Sequence, residues 1–199
     1  MERLFNYISK RATLSNQLKE YIHSIAKVKK LNKAFTLINQ DQTVDKTFFV
    51  VDGCLRAYAF AKDGKEHTLQ FALKDNWVSD YIAIFNNEKS TQIIESVSES
   101  IVIEISINEG IENVFSKFPE IETLHRKNLQ RHIVSLQKRV LNQLQLTSFD
   151  RYKIFLNQYP EIEKYALNYH IASYLGITPQ SLSRLRLSLI HISEPTRPY

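Results

Sequence analysis

A single cysteine, Cys54, stands in a chain of 199 residues. That excludes an internal disulfide, and one thiol cannot hold an iron–sulfur cluster or a structural zinc, which need about four ligands. Redox sensing through a cluster is therefore out. Equally lacking is any apolar run approaching the roughly 20 residues that cross a bilayer, and the opening Met1-Glu2-Arg3-Leu4-Phe5-Asn6 has none of the charged-then-apolar order of a signal peptide. A soluble cytoplasmic protein with no membrane partner is expected. Histidine is scarce where a metal-dependent barrel enzyme of cupin type would need it. Three His or carboxylate ligands must cluster on neighbouring strands, and only His67 lies in the strand-rich part. His125 and His132, seven apart on one helix face, read as solvated or seam histidines. No catalytic residue, no metal ligand and no cofactor is expected.

What is present suffices for a core, since 43% of the residues are hydrophobic and the length suits one large domain or two small ones. Charge is unevenly spread. Residues 1–35 carry eight Lys/Arg against two Asp/Glu, whereas residues 36–108 carry six against eleven. Residues 151–186 lean basic through Arg151, Lys153, Lys164, Arg184 and Arg186. This suits a polyanion partner at that end, with ordinary solvated charge as the equal alternative.

Periodicity divides the chain. Leu14, Leu18, Tyr21, Ile22 and Ile25 recur at helical spacing after Thr13 as a cap, and Lys27, Lys29, Lys30 and Lys33 form the basic end of that helix. From Phe35 to about Ile107 the period becomes two. Ile101, Ile103, Ile105 and Ile107 face one way, with Val102, Glu104, Ser106 and Asn108 opposite, as in a half-buried strand. Asp52-Gly53 and Asp63-Gly64 punctuate this stretch as hairpin turns, which implies a small antiparallel barrel or roll. Pro119 then opens a stretch free of Gly and Pro to about Leu146, in which Leu129, Ile133, Leu136, Val140 and Leu144 recur every three or four residues. One helix of about seven turns follows. Its narrow stripe, flanked by Arg131, Gln137, Lys138 and Arg139, predicts a parallel dimer seam, the alternative being a helix packed on its own barrel. Beyond Phe149 shorter helices begin, with a break at Pro160. Asp150-Arg151-Tyr152 reads as a helix start with Asp as cap in preference to a salt-linked hinge.

Residues 168–186 have the layout of a helix-turn-helix. Ala172 is small where two helices cross, Gly176 supplies a positive φ at the turn, and Ile171, Leu175, Ile177, Leu182 and Leu185 fill the shared core. Thr178 caps the second helix with Pro179 at its first position. The remaining face carries Gln180, Ser181 and Arg184, residue types that reach base edges and phosphates in a major groove. His170 reads as a phosphate or capping contact.

With these residues in view, the chain resembles the CRP/FNR superfamily over residues 1 to about 186. The matches are Val51-Asp52-Gly53-Cys54-Leu55-Arg56-Ala57-Tyr58, similar to a family hairpin, and, more strongly, the run 171–184. The resemblance implies an α+β architecture: an antiparallel, cyclic-nucleotide-binding-like β-roll over 1–118, a long dimerisation helix over 119–147, and a helix-turn-helix domain over 148–186. It places Gln180 and Arg184 at base-reading positions, with Pro179 at a third. It locates a ligand pocket at Ser79, Asp80, Lys89, Ser90 and Thr91, where cyclic-nucleotide binders hold ribose and cyclic phosphate. The phosphate-binding arginine of that cassette is missing. Lys89 offers a point charge without the bidentate fork and Asp80 is shorter than Glu, so the effector implied is a molecule other than cyclic AMP, or none.

After Arg186 the resemblance lapses. The sequence from Leu187 to Tyr199 lacks the basic continuation and β-hairpin wing that the family adds, and reads as translated sequencing-adapter read-through, so that 187–199 is expected to be a non-native tail and the wing incomplete. The mechanism expected is a homodimer paired along the long helix, with recognition helices at about 178–186 in successive major grooves about 34 Å apart, and phosphate contacts from Thr178 and Ser181. The partners are double-stranded DNA, a second copy of the chain, RNA polymerase and an unidentified small effector. The alternative is a small-ligand-sensing or protein-interaction module that binds no DNA.

Overall fold

The computed structural model describes residues 1–107 and 110–193, with side chains to Leu189. The expected positions of Asn108 and of residues 194–199 lie outside the described residues.

Two helices come first, α1 (Glu2–Ser9) and α2 (Asn16–Ile25). The first was not anticipated, yet its Leu4, Tyr7 and Ile8 share one buried face. In α2 the cap is Ser15 and not Thr13: the Ser15 hydroxyl accepts from the Leu18 amide at 3.2 Å, which leaves Thr13 and Leu14 before the helix. The lysines expected at a helix end belong to a strand, β1 (Ala26–Leu31), with Lys33 just beyond it. The chain continues through β2 (Thr36–Ile38), β3 (Lys46–Asp52), β4 (Leu55–Phe60), β5 (Glu66–Ala72), β6 (Trp77–Val78), α3 (Tyr81–Asn86), β7 (Ile93–Ser96), β8 (Ser100–Ser106) and α4 (Ile111–Lys117). The strands form two four-stranded antiparallel sheets, in the orders β1-β8-β3-β6 and β2-β7-β4-β5.

Asp63-Gly64 joins β4 to β5 as the hairpin its sequence predicts. Asp52-Gly53 does not make one, because β3 and β4 belong to different sheets and the turn is a corner between them. Gly53 is required there on two counts. Its φ is +85°, and a Cβ would stand 2.4 Å from Ser100 Oγ and 2.5 Å from the Glu99 carbonyl oxygen.

Three cores follow from this layering. Leu31, Phe48, Val50, Leu55, Ile94 and Val102 fill the space between the sheets. On the outer face of the first sheet, Phe49 and Ile103 pack with Leu4, Leu18 and Ile22 of the N-terminal helices and with Leu124. On the second sheet's side, Phe71 joins Cys54, Val97 and, from the C-terminal region, Tyr152, Phe155, Tyr159 and Tyr174. Strand β8 is thereby covered on both faces and is not half-buried as its alternation suggests: Val102 points between the sheets while Ile103 and Ile105 meet the helices. Burial in the third core pushes the Cys54 thiol up to about 12, so it is not a thiolate at neutral pH.

The long helix α5 (Pro119–Gln145) starts where expected, with Pro119 in its first turn, and ends two residues short of the expected 147. In α6 (Ser148–Gln158) the cap is Thr147, whose Oγ1 accepts from the Asp150 amide at 3.2 Å and lies 2.6 Å from Asp150 Oδ2. Asp150 therefore sits inside the first turn and is not itself the cap. A short 3₁₀ turn at Ile162–Lys164 leads to α7 (Asn168–Leu175) and α8 (Pro179–Ser193).

Candidate nucleic-acid interface

Helices α7 and α8 meet across Gly176, whose φ of +68° ends α7 in the left-handed region. Ile171, Ala172, Leu175 and Leu182 are buried between them, with Ile177 and Leu185 partly so. Thr178 Oγ1 accepts from the Ser181 amide at 3.1 Å, satisfying a donor that the start of α8 would otherwise leave open. Pro179, Gln180 and Arg184 are exposed, as is Thr178 before them. Gln180 and Arg184, four residues apart, share one face of the helix. Ser181 is half-buried, its hydroxyl 3.0 Å from that of Thr178.

The basic residues around this face are not equivalent. Lys153 pairs with Asp150 at 3.1 Å and Lys164 pairs with Glu161. Arg186 binds Glu163 at 2.8 Å and also donates to Tyr152 and Asn168. Arg151 donates to the Leu146 carbonyl at 3.0 Å. Of the five cations that give this end its basic lean, Arg184 alone has no hydrogen-bonded or ionic partner for its guanidinium among the described residues. Helix α8 continues through residues 187–193 with Leu189 packed on the core, and no strand follows it among the described residues.

The opposite side of α7 is docked on the roll. Ser173 closes a two-way link with β5, donating to the Glu66 carbonyl at 2.7 Å and accepting from the Thr68 amide at 2.8 Å. Arg139 of α5 donates to the carbonyls of Leu69 (2.6 Å), Thr68 (3.1 Å) and Tyr174 (3.2 Å), so a single guanidinium ties the long helix, the sheet and α7 together. Beneath α7, Arg56 is 2% exposed, ion-paired with Glu66 and Glu95 at 2.8 Å each. His170 does not face outward as a phosphate or capping contact. It is 4% exposed, both ring nitrogens lack partners among the described residues, and burial, with Arg56 and Lys33 adding to it, holds its pKa down to about 4. The imidazole is neutral at physiological pH. The sequence shows Arg56 in the 51–58 match, Arg139 beside the α5 stripe and Ser173 in the 171–184 run, but not these roles. The partners of Arg139 and Ser173 lie 35 to 107 residues away and Arg56 is buried, and no local spacing signals either.

The five residues expected to line a ligand pocket divide. Ser79, Asp80, Ser90 and Thr91 come together at the start of α3, but their polar groups are engaged with one another and with the backbone. Asp80 Oδ1 accepts from the Ala83 amide at 3.1 Å, and its Oδ2 accepts from Ser90 Oγ (2.8 Å) and the Thr91 amide (3.1 Å). Ser79 Oγ donates to the Lys46 carbonyl at 2.6 Å. Lys89 stands apart at the surface, bound to Thr43 Oγ1 at 2.7 Å.

Along α5 the expected stripe is open to solvent. Ile133, Leu136 and Val140 are exposed, Leu129 is half-buried, and Leu144 reaches 77%. The two histidines on this helix are less open than expected. His125 sits among Tyr81, Phe85 and Phe115, and both His125 and His132 have pKa values lowered by burial. No helix of the described residues is long and apolar enough to cross a membrane, and no group of three or more His, Cys, Asp or Glu among them is placed to hold a metal ion.

Residues 28–116 match the cyclic nucleotide-binding domain family. No curated protein sequence matches the chain. Among solved structures, a transcriptional regulator of the CRP/FNR family from Eubacterium rectale superposes with a TM-score of 0.71 at 16% identity, over 89% of this chain and 85% of that one. A CooA variant from Carboxydothermus hydrogenoformans gives 0.68 at 18% identity, covering 94% and 90%. The c-di-GMP-responsive global regulator CLP of Xanthomonas campestris gives 0.69 at 13%, covering 92% and 96%. Over residues 28–116 the chain is thus similar to cyclic nucleotide-binding domains, and as a whole it has the fold of the CRP/FNR-type regulators.

Proposed function

We propose that this chain is a transcription regulator that binds double-stranded DNA as a homodimer, reading sequence with α8. The observation that carries the reading is the contrast on the helical domain: four of its cations are engaged internally while Gln180 and Arg184 stand exposed at the N-terminal end of α8, the part of a recognition helix that meets base edges. Gln suits adenine and Arg suits guanine. Thr178 and Ser181, at the helix start, contribute phosphate contacts. The unpartnered stripe Leu129, Ile133, Leu136 and Val140 supports pairing of two copies along α5, since an apolar seam of this length is stable only when covered. Two copies so paired bind a two-fold symmetric site, in the cytoplasm, where RNA polymerase is the further protein partner.

The roll is the sensor in this reading, and its effector is not a cyclic nucleotide. Asp80 and Ser90 are already bonded to each other, and Lys89, the one cation expected there, stands apart and is held by Thr43. Selection from a randomised duplex pool, repeated across a salt series, tests the proposal. Enrichment of a two-fold symmetric motif, with affinity falling steeply as salt rises, is the expected result. A chain that enriches nothing at low salt is not a DNA-reading regulator.

A further inference from the structure

The helices that cover the first sheet do not close completely over it. Between α2, α4, α5 and the outer face of β8 lies a cavity of about 110 Å³, walled by Ile22, Ile105, Val114 and Leu124. It is separate from the space between the sheets, which the first core fills, and from the polar cluster around Asp80. Two residues of its lining carry buried nitrogens without a hydrogen-bond partner among the described residues: Trp77 Nε1 and His125 Nε2. Buried polar groups in native proteins are seldom left unpaired, because each one gives up its bonds to water without replacement. The imidazole is held in a frame of three aromatic rings, at 5.4 Å from Phe115, 5.6 Å from Phe85 and 6.0 Å from Tyr81. Burial lowers its pKa, so at neutral pH the ring is uncharged and able to accept or donate one hydrogen bond.

Size and chemistry narrow the occupant. An apolar cavity of about 150 Å³ takes up benzene, and one of this volume admits a single ring with at most a small substituent. A nucleotide is too large, and its phosphate would find no cation among the lining residues. We propose that the cavity is a binding site for a small, neutral monocyclic phenol, its ring against the isoleucine and leucine walls and its hydroxyl bonded to His125. As an effector site touching the long helix it rests on the regulator reading. Binding itself is measured without DNA, so the two can fail separately.

The chain supplies its own probe, because Trp77 is the only tryptophan. Full-length protein is titrated with 4-methylphenol and with toluene while tryptophan emission is followed under selective excitation. Saturable changes with both compounds are expected, the phenol binding about tenfold more tightly. Val114→Phe and Ile22→Phe, which fill the cavity from two different helices, should each weaken both ligands at least tenfold. His125→Leu should leave toluene binding in place and bring the phenol down to the same affinity. If one filled variant fails to fold by circular dichroism the other serves, and His125→Leu tests the hydrogen bond in either case. No saturable change up to the solubility limit overturns the proposal, as does a phenol preference that survives His125→Leu.

Discussion

Two helix starts in this chain use the same chemistry to different ends. Asp80 caps α3 and Thr178 caps α8, each side chain accepting from a backbone amide three residues on. Around Asp80 the serines Ser79 and Ser90 are buried with it. The carboxylate takes three hydrogen bonds, Ser90 is bound to it, and the cluster is a buried joint between α3 and the strand that follows. Around Thr178 the neighbours face water, and Gln180 and Arg184 are left unengaged. Capping residues alone do not distinguish a structural joint from an interface. What distinguishes them is whether the adjoining polar groups have already found partners.

The comparison breaks most visibly at Asp80. Asp80→Ala removes the acceptor of two buried donors and one part-buried amide and should lower stability by about 3 kcal/mol in urea unfolding. An unchanged midpoint would mean that the cluster is held by something other than its carboxylate. Next in size is the buried histidine under α7. His170 titrates near 4 in the folded chain against an ordinary value of 6.5, so as pH falls the unfolded chain takes up its proton first. The stability that goes with neutral His170 is complete above about pH 6.5 and is lost progressively down to about pH 4, a change on the order of 2–3 kcal/mol. His170→Phe should flatten that part of a stability–pH curve, and equal slopes in the two proteins would assign the loss to other groups.

The exposed helix start responds in binding and not in stability. Arg184→Ala should weaken DNA affinity by about 2 kcal/mol and relax preference at one base pair, leaving the unfolding midpoint in place. A loss equal on every sequence would make Arg184 a phosphate contact. Thr178→Ala removes one amide's acceptor at a solvated helix end and should cost about 1 kcal/mol of stability, a third of the effect at Asp80. Lys89→Ala, at the surface beside Thr43, should change stability by less than about 0.5 kcal/mol and DNA binding not at all.

Much of this arrangement is legible in the sequence. The bounds of α5 follow from Pro119 and a run free of Gly and Pro, and the turn between α7 and α8 follows from Ala172, Gly176 and Thr178-Pro179, since each of these acts within a few residues. What was not legible depends on long-range partners. Asp52-Gly53 specifies a tight turn, but whether the strands on either side pair with each other is decided by β8 and β7, roughly 35 to 60 residues away. The alternation of β8 announces a strand yet cannot show that helices cover its second face. Lys27, Lys29 and Lys30 fall on a strand because β1 aligns with β8, not because of their own propensity. For the same reason the burial of His170 was invisible: what covers it is a sheet more than a hundred residues upstream.

Those lysines have a consequence for how the protein behaves when crowded. Strand β1 ends its sheet, and an end strand presents backbone donors and acceptors to any passing chain. Lys27 and Lys30 are exposed along that rim. A second molecule adding edge to edge would bring two lysine rows within a few ångströms of each other, a repulsion that hydrogen bonding between the strands must first overcome. Fibre-like growth from this rim is disfavoured by charge even where the backbone would permit it.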